Sequence, residues 1–392
     1  MTLVTGARQV GKSTLCYEMK KEYGFHYVSL DDLRERDQAI RDPELFLQLH
    51  PCPLIIDEIQ YAPKLFDVIE ATVNREKLEK GENSGMFILT GSQAYELMHG
   101  VSQSMAGRVA IVRMSPLSTR EIYGCSEQKF EIDPSVSSLR SKDFTLGVRD
   151  LFSLIVRGMY PELHANPHLD SASFYSNYVD TYLERDVSQI IRLKEKLQFQ
   201  NFMEALASLT GEELVYDTLA KAVGVSVNTI KSWISVLVAG DIIYLLQPYN
   251  ELSITKRIVK RPKIYFNDTG LACYLARLNN EDVLMNSIFK GRYVETYIVN
   301  EIRKSFRNNG LQDRFFFYRD NNQNEIDLVY VDQGTLHFVE CKSGVDYSSK
   351  DIKAFKQLAN SAYPIGASCI VCNTPTFYSI AKGVYALPIT SI

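Results

Sequence analysis

Nine residues near the N-terminus constrain this chain more than any others: Gly6, Ala7, Arg8, Gln9, Val10, Gly11, Lys12, Ser13 and Thr14, directly after the apolar run Leu3-Val4-Thr5. Two glycines five apart, followed by lysine and a hydroxyl residue, suit a tight turn from a strand into a helix. Several backbone N–H groups then face one anion, and the helix dipole adds positive potential. At average glycine and lysine usage such a pattern arises by chance in roughly one chain in a hundred of this length, so chance is a poor explanation. The pattern predicts a phosphate-binding loop at the head of an α/β fold. Lys12 would reach the β- and γ-phosphates of a nucleoside triphosphate, and Ser13 would ligate Mg²⁺.

A second run supplies what such a loop needs. Pro53 to Glu58 reads PLIIDE, the continuous apolar pattern of a buried parallel strand, ending in two acids. It looks like a Walker B strand, in which Asp57 holds the Mg²⁺ shell and Glu58 polarises the attacking water. A strand followed by a solvated acidic turn is the plainer reading of the run alone. The next predicted strand, Met86 to Thr90, leads into Gly91-Ser92-Gln93 and puts Ser92 where a γ-phosphate would be sensed. Arg108 precedes another β-type run, Val109 to Met114.

At 392 residues the chain is long enough for two or three domains, each with its own core. A net charge of -4 excludes a global cationic field, so contact with nucleic acid has to come from local patches. No apolar run approaches the roughly 20 residues of a membrane helix, and no signal-type segment opens the chain. The expectation is a protein of the cytoplasm with no membrane partner. Seven cysteines are scattered except for Cys369 and Cys372, which sit in an apolar run that reads as a buried strand.

After Pro116 the stretch Cys125 to Asp143 is rich in Ser, Glu, Lys and Asp and reads as a linker or mobile connection. Leu151 to Arg157 is helical and runs into Gly158-Met159-Tyr160-Pro161. Leu214 to Val223 and Val227 to Ala239 read as two helices around a Gly-Val-Ser turn. Val227, Ile230, Ile234, Leu237 and Val238 form the apolar stripe of the second helix, and Asn228, Thr229, Lys231, Ser232 and Ser235 face outward. With the strand DIIYLLQ after it, this resembles a winged helix-turn-helix. Lys256, Arg257, Lys260, Arg261 and Lys263 would form a cationic wing, and a protein-docking role is the competing reading.

The last 120 residues carry a second possible chemistry. Glu295 lies on an amphipathic helix, and three strands follow at Phe315 to Arg319, Glu325 to Val331 and Leu336 to Lys342. Strand alternation puts Glu340 and Lys342 on one face, beside Asp327 of the hairpin partner. Two carboxylates and a lysine converging there would hold a divalent cation, Asp327 and Glu340 being its ligands, and activate water. A charged sheet face is the plain alternative. The series resembles the PD-(D/E)xK nuclease fold, with Glu295, Asp327, Glu340 and Lys342 as its candidate site.

Taken together, GARQVGKST, PLIIDEIQ, LTGSQ, Gly107-Arg108, RGMYPEL, YLERDV, YFNDTGL and the ECK of Glu340 to Lys342 resemble a bacterial and archaeal group of AAA-type ATPases. That group carries a C-terminal domain of unknown function. The resemblance implies an AAA+-like P-loop core over 1–145, a helical lid over 146–198, a winged helix-turn-helix over 199–270 and a nuclease-like α/β domain over 271–392. It implies ATP and Mg²⁺ as cofactors, with DNA and further copies of the chain as partners. Arg108 resembles an arginine finger acting in trans, against an ordinary helix-end arginine. Arg157 is a candidate lid arginine over the nucleotide, against a plain helix stop. Three functions are carried: an ATP-driven switch or motor, a metal-dependent nuclease gated by ATP, and a STAND-like regulatory switch with little turnover. The chain starts at its first core strand, whereas relatives have a leading segment near the adenine, so triphosphate binding is the firmer expectation than adenine specificity.

Overall fold

The computed structural model describes residues 1–81, 85–91, 109–182, 196–249, 261–358 and 361–392. The chain divides into two compact units, Met1–Pro116 with Val236–Ile242, and Leu117–Ser235 with Ile243–Ile392. The first boundary falls at Pro116 and Leu117, nearer the N-terminus than the sequence reading placed it.

In the smaller unit the strands are β1 (Thr2–Thr5), β2 (His26–Ser29), β3 (Leu54–Asp57), β4 (Phe87–Thr90) and β5 (Ala110–Arg113). They pair in parallel in the order β2-β3-β4-β1-β5. The helices are α1 (Lys12–Tyr23), α2 (Leu33–Arg41), α3 (Pro43–Leu49) and α4 (Leu65–Lys80). Strand alternation explains why β3 is apolar throughout. Leu54 and Ile56 pack with Leu3, Phe87 and Leu89 on one face, and Ile55 packs with Val4, Cys16 and Ile88 on the other. Each such fully buried side chain contributes roughly 1.5–3 kcal/mol. The β4 strand separates β1, which carries the loop, from β3, which carries the acid pair.

The larger unit holds α5 (Thr119–Ile122), α6 (Pro134–Arg140), α7 (Val148–Arg157), α8 (Pro161–Ala165), α9 (Ser171–Tyr182), α10 (Lys196–Ala207) and α11 (Tyr216–Val223). Then come α12 (Val227–Ala239), whose residues from Val236 onward belong to the smaller unit and which meets α11 at 103°, α13 (Thr269–Leu275), α14 (Glu281–Asn286) and α15 (Lys290–Asn308). On α12 the outward residues Asn228, Lys231, Ser232 and Ser235 are exposed, while Trp233, absent from the expected stripe, is buried and Val238 is exposed.

Its strands are β6 (Ile243–Pro248), β7 (Lys263–Phe266), β8 (Phe315–Arg319), β9 (Glu325–Asp332), β10 (Thr335–Cys341), β11 (Ser368–Cys372), β12 (Tyr378–Ala381) and β13 (Val384–Pro388). All eight form one mixed sheet in the order β12-β13-β11-β10-β9-β8-β6-β7. Sequence placed β6 and β7 in a winged module distinct from the C-terminal domain, yet Gln247 and Pro248 pair with Phe316 and Phe317, so the hairpin extends the same sheet.

The stretch read as a mobile linker is instead built into this unit. Asp133 caps α6 by accepting from the Ser135 N–H at 2.7 Å, the Phe130 N–H donates to Ser305 Oγ at 3.0 Å, and Phe130 is buried. Lys129 pairs with Asp332 at 2.6 Å, and Arg120 with Asp143 at 2.5 Å. Its polar residues are caps and ion-pair partners rather than a solvated tether.

Among the described residues no single helix is long and apolar enough to cross a membrane. Cys369 and Cys372 lie in β11 as buried free thiols.

Candidate functional site

The loop runs from the end of β1 into α1, and its backbone shows why glycine opens it. Gly6 has φ of 145°, and a Cβ there would fall 2.2 Å from the carbonyl oxygen of Met114. Gly11 caps α1 with φ of 95°, and Gln9 takes the left-handed region at φ 61°, a conformation that costs a non-glycine residue of order 1 kcal/mol or more. Ala7 and Val10 are buried and hold the turn down, whereas Ser13 and Thr14 are exposed on the first turn of α1.

Lys12 is 6% exposed, and its ammonium donates to the carbonyls of Gly6 at 3.0 Å and Ala7 at 2.7 Å. Burial lowers its pKa to about 8. Glu58 and Asp57 work against that lowering, and Arg8 adds to it. The lysine is thus a buried charge whose ammonium is turned onto neutral oxygens.

Asp57, at the carboxyl end of β3, is 3% exposed. Its Oδ2 accepts from the Tyr27 hydroxyl at 2.8 Å, and its Oδ1 from the Thr90 hydroxyl. Tyr27 and Thr90, which sequence reading did not assign to the site, come from the strands that flank β3 and fix the carboxylate's orientation. Burial, and then the Asp57 carboxylate, push the Tyr27 phenol up. Glu58 is left-handed at φ 58° and accepts from Gln60 Nε2, so the acid pair turns sharply off the sheet. Cys16 beneath the loop has its thiol pushed up to about 12 by burial and is inert.

The donor set fits Mg²⁺ with a triphosphate. The Ser13 hydroxyl and the Asp57 carboxylate would be hard oxygen ligands, and Lys12 with the backbone of the loop would supply the anion-binding charge. Ser92 and Arg108 lie outside the described residues, as do Lys256, Arg257 and Lys260. Arg157, in the larger unit, donates from Nη2 to the carbonyls of Leu163 at 2.5 Å, Asn166 at 3.2 Å and Pro167 at 3.3 Å, binding the α8 turn to the end of α7.

The second candidate cluster also assembles. Glu295 of α15, Asp327 of β9, Glu340 of β10 and Lys342 just beyond it converge, with Lys342 Nζ 2.6 Å from Glu340 Oε2 and 3.8 Å from Asp327 Oδ2. Two members were not expected there. Lys263, read from sequence as a wing cation, is 2% exposed and joins Glu295 at 2.8 Å, and it also pairs with Glu325. Burial raises Glu295 to about 7 against the pull of Lys263, and burial with Asp327 raises Glu340 well above the usual carboxylate range.

A third constellation joins two of the quoted motifs, RGMYPEL and YFNDTGL. Asp268 is fully buried, caps α13 by accepting from the Leu271 N–H at 2.7 Å, and also accepts from the Met159 N–H and the Tyr175 hydroxyl, each at 2.7 Å. Gly158, at φ 78°, lies so close that a Cβ would fall 1.9 Å from the Tyr175 hydroxyl oxygen. The two motifs are one buried polar joint.

Three stretches of the chain match known protein families. Residues 1–123 match the family model of an AAA domain, and models of two domains of unknown function match residues 148–282 (DUF8612) and 290–392 (DUF4143). An uncharacterized protein of Mycobacterium tuberculosis is 26% identical over 342 residues, which cover 87% of this chain and 70% of that protein. An uncharacterized protein of Methanocaldococcus jannaschii is 24% identical over 302 residues, 68% of this chain and 60% of that protein. Among solved structures, a RuvB variant of Thermotoga maritima aligns at 14% identity and TM-score 0.29, over 62% of this chain and 80% of that one. Cdc6p of Pyrobaculum aerophilum aligns at 12% identity and TM-score 0.26, over 72% of this chain and 88% of that one. TM-scores of this size carry no argument. The AAA match spans the loop, the acid pair and all five strands of the smaller unit, so that region is similar to an AAA domain and carries the elements of a nucleotide-binding P-loop.

Proposed function

We propose that this protein is a Mg²⁺-dependent ATP hydrolase of the cytoplasm that works as a nucleotide-driven switch or motor on DNA, as a homo-oligomer. The observation that carries the reading is the pairing of a buried Lys12, turned onto the carbonyls of its own loop, with Asp57 and Glu58 at the carboxyl end of β3. On triphosphate binding Lys12 exchanges two neutral acceptors for phosphate oxygens. Ser13 and Asp57 would hold the metal, whose charge would offset that of the phosphates, and Glu58 would orient the attacking water. Ser92 senses the γ-phosphate, and Arg108 completes the site of a neighbouring copy. Arg157, held by three carbonyls, serves the lid as a structural tie.

The 103° turn between α11 and α12, the antiparallel β6–β7 pair and the exposed polar face of α12 support a winged helix for DNA contact. The convergence of Glu295, Asp327, Glu340 and Lys342 favours one second reading, a nuclease gated by the ATPase. Initial rates of ATP hydrolysis with and without DNA test both, together with cleavage of linear and single-stranded DNA in Mn²⁺. Turnover stimulated by DNA without cleavage supports the motor. Cleavage lost in Asp327→Ala supports the gated nuclease, and turnover that ignores DNA points to a protein partner.

A further inference from the structure

The carboxylate cluster of the larger unit is where a metal-dependent nuclease of this strand-and-helix arrangement would hold a divalent cation, and its residues do not fit one. The Lys263 ammonium sits 2.8 Å from Glu295 Oε1 and 3.8 Å from Asp327 Oδ1, and it touches Glu325 Oε1. Lys342 sits between Asp327 and Glu340. Charges therefore alternate through the cluster as Glu295, Lys263, Asp327, Lys342 and Glu340, with Glu325 beside Lys263. Two of these carboxylate oxygens accept further hydrogen bonds. The Tyr265 hydroxyl donates at 2.6 Å to the same Glu295 oxygen that Lys263 holds, and the Cys341 N–H donates at 2.8 Å to Asp327 Oδ2. Among the described residues no group of three or more His, Cys, Asp or Glu side chains is placed to hold a metal ion.

We propose that Lys263 is the resident cation of this cluster, its ammonium held among Glu295, Glu325 and Asp327, and that removing its charge opens a divalent-metal site on those three carboxylates. The ammonium is delivered by a strand, β7, whose other residues are fully buried, so it cannot swing away as a surface lysine does. A metal entering this arrangement has to shed water and also leave Lys263 buried without its carboxylates, and a charge so stranded is strongly destabilising. Without Lys263, four carboxylates face only the Lys342 ammonium and, at Glu325, the Arg319 guanidinium 3.6 Å away, and a dication is the natural replacement. The inference concerns this cluster alone and stands whether or not the loop hydrolyses ATP. It limits the nuclease reading, because metal-dependent cleavage would require Lys263 to leave its partners.

The test is Mn²⁺ binding by the full chain without nucleotide, followed by the paramagnetic resonance of free Mn²⁺ at about pH 8, where protons compete least. The proteins compared are wild type, Asp327→Asn, Lys263→Met, Lys263→Arg and the Lys263→Met/Asp327→Asn double variant. The cluster's share is whatever Asp327→Asn removes. Wild type and Asp327→Asn should bind alike. Lys263→Met should gain one Mn²⁺ per chain, about tenfold or more tighter than any wild-type binding at the cluster, and lose it again with Asp327→Asn. Lys263→Arg, which keeps the charge, should show no gain. Binding by wild type of one more Mn²⁺ than Asp327→Asn overturns the proposal, and so does a folded Lys263→Met with no gain. Should Lys263→Met not fold, the comparison of wild type with Asp327→Asn decides alone, equality supporting the proposal and a wild-type excess overturning it.

Discussion

Lys12 and Lys263 are both buried lysines beside acids, and their surroundings treat them in opposite ways. Lys12 gives its hydrogen bonds to two backbone carbonyls, and burial brings it down to about 8. Lys263 pays the same desolvation, yet Glu295, Asp327 and Glu325 raise it well above its ordinary value. Geometry decides the difference. Full carboxylates within 4 Å compensate an ammonium, while carbonyl dipoles leave charge to spare. The first lysine is primed for an anion that arrives from outside, and the second is already neutralised within the fold. Lys12 fits a binding site because the fold compensates its charge only in part.

The comparison breaks most readily at the loop. Lys12→Ala should abolish triphosphate binding, seen as loss of the calorimetric signal, and an affinity equal to wild type would remove the lysine from its role. Glu58→Gln should bind ATP normally and hydrolyse it about a hundredfold or more slowly in single-turnover assays, the range expected on losing a group that handles the attacking water. In the larger unit, Asp268→Ala strands the N–H groups of Met159 and Leu271 and the Tyr175 hydroxyl, and should cost about 3 kcal/mol in denaturant unfolding. A change within error there would reduce the joint between the two motifs to a bystander.

The Lys12 shift gives a pH signature. Below about pH 8 the free protein already carries the ammonium. Bound triphosphate raises the lysine's pKa, so binding above that pH takes up a proton, and affinity should fall by up to about tenfold per pH unit above 8. Glu295 acts on stability, and in the same direction. Its folded pKa, raised to about 7, exceeds the unfolded value, so its contribution is full below the unfolded pKa and is lost as pH rises through about 7. The smallest effect expected is from Tyr27→Phe, which removes one of the two hydroxyls orienting Asp57 and should weaken MgATP binding about fivefold, a loss of about 1 kcal/mol.

The loop was legible in sequence because its chemistry needs contiguous residues, Gly6 to Thr14, whose turn is dictated locally. The acid pair was legible because a buried parallel strand, Leu54–Asp57, has no polar positions until it ends. Alternation also brought Asp327, Glu340 and Lys342 together, since β9 and β10 are adjacent antiparallel strands with Leu328 opposite Val339. Lys263 escaped because β7 joins that sheet through β6 and β8, a pairing made by backbone groups that leaves no mark on side-chain pattern. Five basic residues near 256–263 looked like one wing, and the pleat turned one of them into the core. The stretch 125–143 was misread for a related reason: its polar side chains serve as caps and ion-pair partners, and composition alone does not separate those from a tether.

Lys12, only partly compensated by Glu58 and Asp57, is the residue on which a working MgATP site depends. Initial rates of phosphate release from ATP, with Mg²⁺ present and then chelated, measured for wild type and Lys12→Ala side by side, test it most directly. The prediction is Mg²⁺-dependent turnover by wild type that vanishes in Lys12→Ala. Equal turnover by the two proteins, or no turnover by wild type with or without DNA, would contradict it.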